Sequence, residues 1–142
     1  MKNLTPALAL LGTLACAFSI AAQTVPPLIN YQGQLTQPNG DPLPTADYEL
    51  SFRIYDGAMG GNLIWGPQVF DGQTGLTGHR AKVPVVQGYF NLMLGPVDTN
   101  NASLLEAFNA SNRFVEIKVG TNAAITPRQQ VLSAPYALKA AN

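Results

Sequence analysis

The feature that most constrains this chain is a period of two. From Tyr48 to Tyr55 the residues Tyr48, Leu50, Phe52 and Ile54 alternate with Glu49, Ser51, Arg53 and Tyr55. Successive side chains of an extended strand point to opposite faces, so one set faces a core and the other faces water. The same alternation sets Ile29, Tyr31, Gly33 and Leu35 against Asn30, Gln32 and Gln34. It also sets Val115, Ile117 and Val119 against Glu116 and Lys118. The stretches between are turn chemistry. Gln37 to Ala46 holds Pro38, Asn39-Gly40, Asp41-Pro42 and Pro44, and a second turn runs from Asp56-Gly57 to Gly61-Asn62. Glycine supplies positive φ and proline presets φ at such positions. With 13 glycines and 11 prolines, the chain suits a turn-rich all-β domain and not a helical bundle.

The remaining elements follow the same logic. Leu63 to Trp65 and Gln68 to Phe70 read as one strand interrupted by Gly66-Pro67; proline lacks the ladder N–H, which marks an edge or a bulge. Arg80 to Val86 and Tyr89 to Leu94 read as a hairpin about Gln87-Gly88, with Pro84 pointing to an edge position. Asn100 to Phe108 is the one helical segment before the tail, with Ser103 and Glu106 as a capping box and Leu104 and Phe108 on one face. Thr126 to Leu132 is extended, and Ser133-Ala134-Pro135 suits entry into a short helix over Tyr136 to Ala141. The expected fold is an all-β, Ig-like or transthyretin-like antiparallel sandwich of about seven strands, with one short helix and a short C-terminal helical tail. The long Gln37–Ala46 turn implies that the first two strands need not be hairpin partners.

Residues 1–22 read as a secretory signal peptide. Lys2 gives a positive start, Ala7 to Ile20 is apolar, and small residues precede a cleavage point after Ala21 or Ala22. The apolar stretch is shorter than the ~20 residues that span a bilayer. Cys16 sits inside it without a lipoprotein spacing, and no other cysteine follows. The expected organisation is signal peptide 1–22, β-domain 23–132 and tail 133–142. A chain released this way reaches the periplasm, the cell surface or the medium, with no stable membrane insertion once the signal is removed.

Only 11% of the residues are charged, and the formal net charge is zero. Nucleic-acid binding, which needs a basic patch against phosphates, is not expected. Nor does the sequence offer catalytic, cofactor or metal-binding residues. His79 is the one histidine; it lies in a Gly-rich loop without a nucleophile elbow and reads as an exposed surface residue. Asp56, Asp71 and Asp98 are loop oxygens without EF-hand spacing, and read as turn residues before calcium ligands. Gly72, Gly75 and Gly78 recur every third residue, but no helix and lysine follow as in a phosphate loop. Tyr55, on the outward face of its strand, is the leading exposed aromatic; His79, Tyr136 and Leu138 complete the candidate interaction residues. Trp65 reads as core or interface.

Several segments resemble a recurrent secreted bacterial domain. Its INYQGxL, GxPL and FRLYD motifs correspond to Ile29–Leu35, Gly40–Leu43 and Phe52–Asp56. Its Leu-Trp is Ile64-Trp65 here, its GxFxxxLG hairpin runs from Gly88 to Gly95, and its closing PRQxLxSAPYALxA runs from Pro127 to Ala140. The resemblance implies a β-sandwich that often forms the N-terminal head of stalk-like or tail-fibre-like surface proteins, with no assigned activity. Nothing follows the closing motif here, so a head domain separated from its stalk is one implied reading. The expected function is a non-catalytic secreted structural or interaction module, with a protein partner or self-association. A carbohydrate or small-ligand module using the Asp71–Gly78 loop and exposed aromatics is the alternative.

Overall fold

A computed structural model of the protein describes residues 27–132. The expected signal peptide 1–22 and the expected tail 133–142, with Tyr136 and Leu138, lie outside the described residues. Strands β1 (Ile29–Gln34), β2 (Ala46–Tyr48), β3 (Leu50–Tyr55), β4 (Leu63–Phe70) and β5 (His79–Arg80) lead into β6 (Val83–Val85), β7 (Tyr89–Leu94), β8 (Arg113–Val119) and β9 (Gln129–Val131). The fold is all-β. One sheet has the order β5-β4-β3-β8-β9; β1 pairs with β7, and β2 with β6. Every pairing is antiparallel except a two-residue parallel contact of β4 with β5.

The alternation read from Tyr48 to Tyr55 is present, but the segment serves two sheets. Tyr48 pairs with Val83 of β6, whereas Leu50 pairs with Phe70 of β4 and Val119 of β8. The chain therefore crosses between layers at Glu49. The first two predicted strands are not partners: β1 lies against β7. β6 and β7 meet at a two-residue turn in which Gln87 has φ 47° and Gly88 φ 83°. Positive φ at both central residues is what a type I′ hairpin turn requires. Val86 and Tyr89 exchange both backbone bonds across it, at 3.0 and 2.9 Å.

Leu50, Phe52 and Ile54 of β3 face Phe90, Leu92 and Leu94 of β7 and Val83 and Val85 of β6 in one core. Phe52 is its centre, with edge-on ring contacts of 5.6 Å to both Tyr31 and Phe70. Each such side chain contributes roughly 1.5–3 kcal/mol by leaving water.

β4 runs unbroken through Gly66-Pro67, with its register against β3 shifting between Phe52 and Ile54. The freed backbone groups are taken up by the loop that follows β7. The Gly66 N–H donates to Asp98 Oδ2 at 2.8 Å, and the Thr99 N–H to Pro67 O at 3.0 Å. This loop also explains why the expected helix over Asn100–Phe108 is only a 3₁₀ turn, Leu104–Phe108. Asp98 Oδ1 accepts from the N–H groups of Asn100 and Ala102, fixing those residues in a non-helical loop. The Ser103 hydroxyl accepts from the Leu105 N–H at 3.3 Å, one residue short of the capping-box partner.

Candidate functional site

The sandwich is open on one side, where β1 and β9 face each other. Each is the last strand of its sheet, since β1 pairs only with β7 and β9 only with β8 among the described residues. Two side chains bridge the opening. The Tyr31 hydroxyl donates to Gln129 Oε1 at 2.5 Å. Partial burial raises the Tyr31 pKa above the ordinary tyrosine range, which keeps the hydroxyl a donor. Above and below this bridge lie cavities of about 480 and 280 Å³. Val115 and Ile117 of β8 floor the first, and the chain reaches the second at Leu132.

Arg128 anchors the segment entering β9. Its Nε donates to Glu116 Oε2 at 3.3 Å, and its Nη1 to Gly57 O at 2.9 Å and Gly60 O at 2.5 Å. The guanidinium carbon stands 3.5 Å from the ring centre of Tyr55. A planar cation with several fixed donors can stack on a ring and satisfy turn carbonyls together, which an ammonium cannot. Thus one arginine ties β9 to β8 and to the β3–β4 turn.

The exposed edge of β1 follows from bond parity. In an antiparallel pair, bonded and non-bonded residue pairs alternate. The Leu35 N–H donates to Gly88 O at 2.8 Å, so Gly33, Tyr31 and Ile29 also bond toward β7. The backbone groups of Asn30, Gln32 and Gln34 therefore point away from β7, toward the opening. Tyr89 confirms the parity from the other side, because its backbone bonds go to Val86.

The sequence-derived candidates fare differently. Tyr55 is on the outward face as expected, but Arg128 covers its ring. His79 is not the exposed loop residue expected. It lies in β5, its side chain is 20% exposed, and its Nδ1 is 2.9 Å from Asp71 Oδ2. The loop folds back because β5 pairs with β4 and the Val69 N–H donates to Gly78 O. Tyr136 and Leu138 lie outside the described residues.

The three aspartates weighed as calcium ligands are separate loop fasteners. Asp56 accepts from the backbone and side-chain amides of Asn62 at 2.6 and 2.9 Å, and those bonds hold its pKa below the ordinary aspartate range. Asp71 is lowered likewise, first by the Gln73 N–H and further by His79. Asp98 is 2% exposed and receives three backbone N–H groups. Among the described residues, no three His, Cys, Asp or Glu side chains converge as a metal group would.

In the sequence, Arg128 and Gln129 stand out only as letters of the closing motif. A lone arginine after proline, ahead of an extended run in a charge-poor chain, was the available signal. Gln68 gave none: on a strand, a fully buried amide is exceptional, and it exchanges bonds with Gly95 N and O at 2.9 Å each.

The family profile described as Domain of unknown function (DUF8740) matches residues 30–128. The chain belongs to that family. The match opens in β1 and closes on Arg128, so it contains both the free strand edge and the arginine anchor. No curated protein and no solved structure matches the chain. No helix among the described residues is long and apolar enough to cross a membrane.

Proposed function

We propose that this DUF8740 protein is a secreted, non-catalytic interaction module that associates through the free edge of β1 with an extended segment of a second copy of the chain. The carrying observation is the direction of the Asn30, Gln32 and Gln34 backbone groups, which among the described residues face an opening instead of a neighbouring strand. Unpaired strand edges are templates for added strands, with main-chain bonds giving affinity and adjacent pockets giving selectivity. The two cavities beside β1 are such pockets, and half-buried Ile117 lines the larger of them. Secretion rests on the signal-like segment 1–22, and places the module in the periplasm, on the surface or in the medium. A structural role accords with the aspartates and the histidine, whose polar atoms fasten turns.

Amide hydrogen exchange at low and high protein concentration tests this. The amides of Asn30, Gln32 and Gln34 should gain protection as concentration rises, while those of Tyr31 and Gly33 stay protected throughout. Unchanged, rapid exchange at the three edge amides would remove the proposal.

A further inference from the structure

The outer face of the β1–β7 pair is a surface of a different kind, independent of the strand edge. It carries Asn30 opposite Met93, Gln32 opposite Asn91 and Gln34 opposite Tyr89. All six side chains are exposed, and none is charged. These are the non-hydrogen-bonded pairs, in which facing side chains approach most closely. Three amides thus stand in a row on β1, with Asn91 beside the middle one and the Tyr89 ring beside Gln34 at one end, and Tyr89 is 61% exposed. A shallow cavity of about 720 Å³ lies over this face, bounded by Gln32, Gln34, Tyr89, Asn91 and Pro84.

Asparagine is disfavoured in strands, yet it occupies both Asn30 and Asn91 here. A local rule broken on an exposed face points to use of that face. Several amide side chains elsewhere in the protein are engaged internally, as at Asn62, Gln68, Gln73 and Gln129. The four amides of this face have no hydrogen bond to the protein among the described residues, so each presents a free carbonyl and a free NH₂. Paired donors and acceptors at fixed spacing match the hydroxyls of a sugar, and a flat ring matches its apolar face. The lack of charge matches a neutral ligand and disfavours phosphorylated or acidic ones.

We propose that this face binds a neutral oligosaccharide, with Tyr89 stacking on a sugar ring and Gln32, Gln34 and Asn91 bonding its hydroxyls. The site differs from the loop and from Tyr55, which Arg128 covers.

The test uses the purified protein on an array of neutral glucans, mannans, xylans and chito-oligosaccharides, with sulfated and uronic-acid glycans alongside. The expected result is binding to a neutral member. Tyr89→Ala should weaken it about tenfold, the size of a lost ring contact, and Gln32→Ala with Asn91→Ala by at least as much. These are surface positions, and unchanged melting curves would verify folding. In the unaltered protein, the side-chain NH₂ resonances of Gln32, Gln34 and Asn91 should shift on titration with the bound glycan. Binding to none of the neutral glycans at millimolar concentration would overturn the proposal. So would binding restricted to charged glycans, or binding that leaves those resonances and both variants unaffected.

Discussion

The Arg128 guanidinium covers the ring of Tyr55 at 3.5 Å, joining the segment before β9 to the outward face of β3. The same group reaches Glu116, and both side chains are 14% exposed. Arg128→Ala should therefore cost about 2–3 kcal/mol, because it removes hydrogen bonds to a carboxylate and two carbonyls together with the ring contact. Arg128→Lys should recover about half of that, since one ammonium cannot span the ring and the turn. Urea denaturation of the two variants measures both values, and equal midpoints for lysine and arginine would deny the fork a role.

Asp98 is a fastener rather than a ligand holder. Replacing it with alanine strands three backbone N–H groups at the β4 break, so Asp98→Ala should lose about 3 kcal/mol or more. Asp98→Asn should do little better, because its NH₂ must face a donor on one side. Thermal melts read the difference. An asparagine variant as stable as the parent would show that the charge and second oxygen are dispensable.

Glycine spacing in the Asp71–Gly78 loop conceals two unlike positions. A Cβ on Gly78, at φ 73°, would stand 2.3 Å from the Asp98 carbonyl carbon and the Thr99 nitrogen. A Cβ on Gly75 meets nothing within 4 Å. Gly78→Ala should cost more than about 4 kcal/mol or abolish folding, while Gly75→Ala should be neutral or stabilising by up to ~1 kcal/mol. Soluble yield and denaturation midpoints of the pair decide this, with equal behaviour counting against the packing described.

Acid should loosen the β3–β4 turn late. The folded-state pKa of Asp56 is lowered, first by its side-chain bond with Asn62. Its contribution to stability is present in full above the unfolded aspartate value, about 3.9, and is lost as pH falls through the lower folded value. Following the Asp56 carboxyl carbon by NMR should give a midpoint below the ordinary range, and Asn62→Gly should raise it. An ordinary midpoint in the parent would contradict the geometry.

Most strands were legible because their signals are local. Alternation marked β1, β3 and β8, and Gln87-Gly88 marked the hairpin between β6 and β7. What escaped was set by distant partners. Nothing near Glu49 reveals that the chain changes sheets there, and nothing near Asn100 reveals that Asp98 holds the loop against β4. The site followed the same division. Outward placement of Tyr55 was readable from period two, whereas its cover, Arg128, comes from the far end of the domain. The half-burial of His79 likewise depends on a two-residue pairing with β4 that has no sequence signal of its own.

In the proposed function the β1 edge is an association surface. The direct test is solution mass by light scattering, comparing the parent with Asn30→Pro. Proline removes an N–H that points away from β7, and edge strands tolerate that loss. The parent should run as an assembly larger than a monomer and the variant as a monomer, with the same circular dichroism. A monomer in the parent at every concentration, or an undiminished assembly in Asn30→Pro, would contradict it.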